Sequence, residues 1–372
     1  MTAPRLEIDL DKIEQNARTL GERLGNRGIS ITGVTKATLG SPEIAGAFLR
    51  GGLSSLGESR IENIEAMRGA AVPARMVLLR SPMVSQAERV VAHADVSFNT
   101  ELEVISKLAA AAEEAGWTHG VVLMIELGDL REGIMPGDLE QAVRETLRYP
   151  SLTLEGIGTN LACRCGVVPD AKNMGELSAL ADSIDVTFGQ ELKIVSGGNS
   201  GSLAWALSGA STGRINHLRL GESLLLGREP LHRLPIDGLH TDAFTLIAEV
   251  IESKLKPSRP WGEIAQTAFG EQPTTTDRGD ISQVILALGH QDTDPHGLQA
   301  PAGIEILGAS SDHLVVYSSQ DSLRVGAEIR LRPNYSALVR AMTSPLVTKF
   351  MKRQRSGTPA TGGNVSPFER RA

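Results

Sequence analysis

The run Ile31-Thr-Gly-Val-Thr-Lys36-Ala37 decides how the rest of the chain reads. Its isoleucine, valine and threonines are β-branched and favour an extended strand, and the strand ends on a single cation, Lys36. Short runs of the same texture recur downstream. With Ser30 to Thr35 as the first, they are Leu53 to Gly57, Met76 to Arg80, Val96 to Asn99, Val121 to Leu127, Leu154 to Thr159, Lys193 to Ser196 and His217 to Leu220. That makes eight.

Helical patterns fill the intervals. Ile13, Ala17, Leu20 and Leu24 fall on one face of residues 11–24, and Ser41-Pro42-Glu43 offers a cap and a first-turn proline. Ser85-x-x-Glu88 and Thr100-x-x-Glu103 read as capping boxes opening two more helices. Eight strands alternating with helices predict a closed (β/α)8 TIM-type barrel over residues 10–233. Lys36, Glu58, Arg60, Arg80, Asn99, Arg131, Asn160, Asn199, Ser200 and Arg219 all fall at or just past strand C-termini, the face on which barrel enzymes build their sites.

Beyond about residue 235 the texture changes to β-branched runs such as Phe244 to Ile251, Ile281 to Leu288, Ile304 to Gly308 and His313 to Tyr317. Residues 234–350, joined by residues 1–9, are therefore expected to form a mainly-β domain. Residues 351–372, rich in Gly, Ser, Thr and Pro, are expected to be a disordered tail.

Composition narrows the function. A chain of 372 residues with 41% hydrophobic content can bury a large core, and its net charge of −7 offers no basic stripe for nucleic acid. Charges interrupt the first ten residues, and no apolar run reaches membrane-spanning length, so a cytoplasmic protein with no membrane contact is expected. The two cysteines, Cys163 and Cys165, lie too close together for an easy disulfide and lack the partner pair of a zinc site. A small-molecule enzyme fits these bounds.

A lysine at a strand end is more often a solvated terminus than a catalytic group, and a glycine-rich loop more often a plain turn. Here the two occur together. Ser196-Gly-Gly-Asn-Ser200 is an anion cradle, and His217-Leu-Arg-Leu-Gly221-Glu222 adds an arginine and a further glycine after the last strand. A lone lysine with such a cradle is what pyridoxal phosphate requires, which points to an enzyme of amino-acid metabolism.

With these segments in barrel order, the chain resembles the alanine racemase family of pyridoxal-phosphate enzymes, and more closely its ornithine racemase-type branch. The matching stretches include Gly33-Val-Thr-Lys36, Ser59-Arg-Ile-Glu-Asn63, Gly128-Asp-Leu-Arg-Glu-Gly133, Ser196-Gly-Gly-Asn-Ser200, Leu218-Arg-Leu-Gly-Glu222, Gly308-Ala-Ser-Ser-Asp-His313 and Met342-Thr-Ser-Pro345, spread from residue 4 to about 347. The resemblance implies a racemase interconverting L and D forms of an amino acid, ornithine or alanine, through an aldimine on Lys36 and deprotonation at Cα. It implies that Gly198, Asn199, Ser200, Gly221 and Tyr335 hold the phosphate, that Arg219 meets the pyridine nitrogen, and that Arg131 lies near the substrate carboxylate. It also implies a homodimer with shared active sites.

One departure matters. Alanine racemases carry a catalytic tyrosine in a Tyr-Gly step where this chain has Phe269-Gly270, and a histidine where it has Asn160. Phenylalanine cannot move a proton, so the second base is sought among Cys163, His290, Asp312 and His313, with Cys163 and Asp312 taken forward. Asp242, Asp292 and Asp312 are the acids open to a side-chain ammonium. His290-Gln-Asp292-Thr-Asp294-Pro-His296 has the composition of a metal cluster but reads as a turn, so no metal ligands are assigned. The alternatives are a metal-assisted D-amino-acid lyase or aldolase, and a non-catalytic pyridoxal-phosphate protein; well over 100 residues of β domain speak against the latter.

Overall fold

The computed structural model describes residues 2–270, 276–319 and 323–353. The strands are β1 (Arg5–Asp9), β2 (Ser30–Val34), β3 (Ser55–Glu58), β4 (Arg75–Leu78), β5 (Val96–Asn99), β6 (His119–Ile125), β7 (Leu152–Thr159), β8 (Ile194–Ser196), β9 (His217–Leu220), β10 (Phe244–Pro257), β11 (Asp280–Leu286), β12 (Leu298–Gln299), β13 (Ile304–Ala309), β14 (Leu314–Ser318), β15 (Glu328–Pro333) and β16 (Thr348–Lys352). Strands β2 to β9 form a closed parallel barrel in sequence order, sealed where β9 returns to β2 with Thr32 opposite Arg219. All seven positions of β6 are buried, because helices cover the outside and side chains fill the inside.

Strands β10 to β15 form a separate antiparallel sheet in the order β12-β15-β10-β11-β14-β13. The chain enters through this second domain: β1 pairs antiparallel with β10 and parallel with β16 before the helix Leu10–Gly25 begins the barrel. Helix Tyr335–Thr343 then returns from the second domain and packs against the Lys36–Thr38 turn at the barrel mouth. Among the described residues no helix is long and apolar enough to cross a membrane.

Several local readings need correction. Ser41 caps the helix Pro42–Arg50 as its sequence suggests, accepting from Ile44 N at 3.4 Å. The two capping boxes do not form. Gln86 and Glu101 stand at the N-caps of Ala87–His93 and Leu102–Ala115, neither with a side-chain cap bond, because a 3-10 turn at Val84–Gln86 displaces the first start and Thr100 turns to Ser81 Oγ at 3.2 Å. Met351 and Lys352, assigned to the tail, lie in β16, where pairing with β1 gives their backbone partners. The remainder of the tail reading, from residue 354, lies outside the described residues.

Candidate active site

A cavity of about 490 Å³ opens at the C-terminal end of the barrel. Its wall includes Lys36, Ser59, Arg80, Arg131, Glu132, Asn160, Cys163, Asn199, Ser200, Arg219, Gly221, Glu222 and Tyr335. Of the residues assigned from sequence, Gly198 lies one position from this wall and Asp312 lies outside it, on the connection between β13 and β14.

Lys36 stands at the start of a 3-10 turn directly after β2. Thr35 pins that turn, donating its N–H to Gly57 O at 2.9 Å and its hydroxyl to Glu58 Oε2 at 3.2 Å, while Thr38 donates its hydroxyl back to Thr35 O. Burial pushes the Glu58 carboxyl up. Among the described residues no hydrogen bond or salt bridge occupies the Lys36 ammonium, so the strand delivers an unpaired amine to the cavity.

Arg219 is 5% exposed and donates to Ser196 Oγ, to Thr159 O at 2.7 Å and to Asn160 Oδ1 at 3.4 Å, with the Phe98 ring 5.1 Å from its guanidinium carbon. No carboxylate meets it among the described residues. Burial, with the charge of Arg131, pulls it down to about 9, which leaves it protonated at neutral pH. Beside it, the amide nitrogen of Asn160 is buried in the cavity wall without a partner.

The cradle is made by the ends of β8 and β9. Gly198 has φ +117°, and a Cβ there would meet Ser202 Oγ at 2.6 Å, so only glycine leaves the loop its shape. The cradle runs into a 3-10 turn, Ser200–Ser202, followed by the short helix Leu203–Leu207. Ser200 Oγ accepts from Gly221 N at 3.4 Å and Ser223 N at 3.2 Å, gathering two backbone donors and a hydroxyl at one spot. Tyr335 adds a phenol, held near about 12 by burial and by Glu222, Cys163 and Glu58, so it is a hydroxyl donor throughout the neutral range. An unpaired amine, a donor cluster and a cation in one cavity wall fit pyridoxal phosphate.

The opposite wall is built by two carboxylates that hold loops. Glu126 accepts from Gly128 N, Leu130 N and Arg131 N. Asp129, fully buried, accepts N–H groups from Cys163, Arg164, Cys165 and Val167 at 2.7 to 3.4 Å. Arg131 is clamped on the Glu132 carboxylate and donates its remaining Nη1 to Cys163 Sγ at 2.9 Å. Cys163 is thus fixed through its backbone by Asp129 and through its sulfur by Arg131.

The acids considered for a side-chain ammonium are engaged elsewhere. Asp242 pairs with Lys12 at 2.8 Å, Asp292 turns inward to accept from Gly289 N, and Asp312 pairs with His313. Glu132, paired with Arg131, and Glu222, paired with Arg233, are the acids that line the cavity. Both lie in motifs quoted from the sequence, yet nothing in the pattern said which way they point. In the run from His290 to His296, Asp294 accepts from Ser336 Oγ and His296 N, and the His290 ring lies 4.2 Å from that of Phe269. His290 N donates to Ser310 O at 3.1 Å and Gln291 N to Ser311 O at 2.9 Å, so Phe269, His290, Asp312 and His313 share one tip of the second domain.

Residues 8–229 match the family described as alanine racemase, N-terminal domain. The chain is 39% identical to the lysine racemase of Thermotoga maritima over 94% of its own length and 98% of that protein, and 37% identical to the ornithine racemase of Acetoanaerobium sticklandii over 93% and 99%. The crystal structure of alanine racemase from D-cycloserine-producing Streptomyces lavendulae superposes with a TM-score of 0.74 at 18% identity, covering 95% of this chain and 98% of that one.

The Asp129 staple has a pH signature. Although burial opposes it, four backbone donors hold the Asp129 carboxyl below its ordinary value. Its stabilisation is therefore fully present above the unfolded pKa, about 3.9, and is lost as pH falls through the depressed folded value. Asp129→Ala should cost about 1.5–3 kcal/mol at pH 7, read by thermal melting, and the gap from the parent should shrink on acidification below pH 4. A gap independent of pH would refute the assignment.

Proposed function

The chain belongs to the alanine racemase family, and on that premise we propose that it interconverts the L and D forms of a free diamino acid, ornithine or lysine, with pyridoxal 5′-phosphate as cofactor in the cytoplasm. The observation that carries this reading is the unpaired Lys36 amine in the same cavity as Arg219, a buried cation without a counter-ion. Lys36 would hold the cofactor covalently, Ser200, Gly221 and Tyr335 its phosphate, and Arg219 its ring nitrogen. When bound, the cofactor supplies an electron sink that makes an amino acid's α-proton removable.

Racemisation needs a proton acceptor and donor on each side of Cα. Lys36 follows β2, the first strand of the eight-stranded ring, and Cys163 follows β7, the sixth, so they approach the cavity from different sides. We assign the Lys36 amine to one face and the Cys163 sulfur to the other. Arg131 orients the sulfur and offers its charge to the substrate carboxylate. A fixed guanidinium at the ring nitrogen limits the strength of the electron sink, which favours returning the proton to Cα over transamination. Glu132 and Glu222 give a distal ammonium an anionic wall that alanine would leave unused.

The proposal includes a homodimer. The exposed tip bearing Phe269, His290, Asp312 and His313 is the surface with which one subunit would close the barrel mouth of the other and shield it from water. On that arrangement Asp312, outside its own cavity, acts at the partner's mouth. Lys36→Ala and Asp312→Ala proteins, each inactive alone, should regain activity when subunits exchange, because one heterodimer site is intact. No recovery under proven exchange would remove the shared site.

Chiral chromatography of reactions with lysine, ornithine and alanine should show kcat/KM about 10- to 100-fold higher for the basic pair, the weight of one charge-assisted contact. Equal or better turnover of alanine would reject a diamino-acid substrate. Lys36→Ala should lower turnover by about 100-fold or more. Reaction in deuterium oxide separates the two faces: Cys163→Ala should retain α-hydrogen exchange with one enantiomer and lose it with the other. Equal exchange of both enantiomers in that variant would take the role from Cys163.

A further inference from the structure

Beneath the cavity a file of polar side chains threads the barrel interior. Arg219 Nη1 donates to Ser196 Oγ, which lies 2.8 Å from His217 Nδ1. On the other side of the ring, His217 Nε2 lies 2.8 Å from Thr32 Oγ1, itself 2.9 Å from Ser55 Oγ. Strand register creates the file: Ser196 lies opposite His217, Thr32 lies opposite both Arg219 and Ser55, and His217 and Arg219 are two residues apart and so share a face of β9. Neither His217 nor Ser196 lines the cavity.

The directions of these bonds follow from donor chemistry. A guanidinium only donates, so the Ser196 oxygen must accept from Arg219. The buried Ser196 hydroxyl proton then needs an acceptor, and the neighbour available is His217 Nδ1. That nitrogen is therefore unprotonated, Nε2 carries the hydrogen, and it donates to Thr32, whose hydroxyl passes on to Ser55. The opposite tautomer would aim two donors at Ser196 and strand its proton.

From these directions we propose that His217 is a positioning residue: as the neutral Nε2–H tautomer it takes the Ser196 proton, keeps the Ser196 oxygen turned to Arg219, and so fixes the guanidinium at the cavity floor. The proposal rests on Arg219 facing the cofactor, as proposed above, and is independent of which amino acid is the substrate. The environment supports it. Burial, followed by the charges of Arg219 and Arg75, pushes His217 down to about 3, so no second cation forms beside Arg219. Arg75 is itself neutralised by Glu155.

The full-length protein labelled with 15N-histidine, without and with pyridoxal phosphate, should show the Nε2-protonated tautomer at His217 in long-range 1H–15N spectra, the signal being assigned by its loss in His217→Gln. A protonated Nδ1 or an imidazolium at neutral pH would overturn the proposal. Fluorescence titration of the apoprotein with pyridoxal phosphate supplies the second arm. His217→Leu should weaken binding about tenfold, the weight of one buried hydrogen bond. His217→Gln, whose oxygen accepts and nitrogen donates, should recover most of that loss. If Leu and Gln bind alike, the relay is not needed and the proposal fails; if Leu does not fold, the tautomer decides. In turnover, kcat should fall more than KM in His217→Leu. Expected tautomer and affinities without turnover of lysine or ornithine would sustain this proposal while sinking the choice of substrate.

Discussion

A buried cation that makes no salt bridge among the described residues is the constraint around which this barrel is arranged. Arg219 is met by a serine hydroxyl, a backbone carbonyl, an amide oxygen and an aromatic face, all neutral. Desolvating a guanidinium is expensive, and neutral acceptors return only part of that cost. A carboxylate would offset more of it but would leave nothing for a ligand to accept. Asp129 shows the opposite solution on the facing wall, a buried anion saturated by four backbone donors that serves as a structural staple. One charge is met only by neutral groups, and the other is saturated by backbone donors.

Barrel closure brings the chemical parts together. Because β9 returns to β2, Lys36 and Gly221, separated by most of the barrel sequence, end on adjacent strands. Arg131 and Cys163 follow β6 and β7, on the far side of the ring, where they bond each other. An amine and cradle on one side with a guanidinium and thiol on the other form a cleft that a small amino acid can span. The second domain adds Tyr335 through a helix braced on the Lys36 turn, so the cavity and the domain packing are coupled.

Much of this was legible in the sequence because its signals are local. β-branched runs ending in polar residues mark parallel strands, and the polar ends fall on one face as soon as the barrel closes, which brought Lys36, Arg131, Cys163, Asn199, Ser200, Arg219 and Gly221 to one cavity, while Tyr335, taken from the family resemblance, reaches it on the helix from the second domain. What failed depends on side-chain direction or on competition between partners. Ser85 and Thr100 carry capping patterns, yet a 3-10 turn and a serine partner changed the helix starts. Asp242 and Asp292 could not be told from Glu132 and Glu222 in the sequence, which does not show that Lys12 takes the first and a backbone N–H the second while the two glutamates line the cavity. Asp129 lay in a quoted motif, but its four bonds reach residues about 35 positions downstream, beyond any local pattern.

The cavity's own ionisation narrows which groups can move a proton at Cα. Tyr335 is held near about 12, so it donates a hydrogen bond and does not serve as a base. Glu222 is engaged by Arg233 and Glu132 by Arg131. Arg219 remains cationic, and Phe269 bears no transferable proton. The groups proposed above for that role are the amine of Lys36, which no hydrogen bond or salt bridge occupies among the described residues, and the sulfur of Cys163, held at the cavity by Arg131 and Asp129. On the proposed assignment of the two faces to Lys36 and Cys163, the part of the second domain, Asp312 included, is to complete and shield the partner's barrel mouth. In the proposed dimer the tip around Phe269 and Asp312 would serve that closure, and an apolar ring at position 269 suits water exclusion.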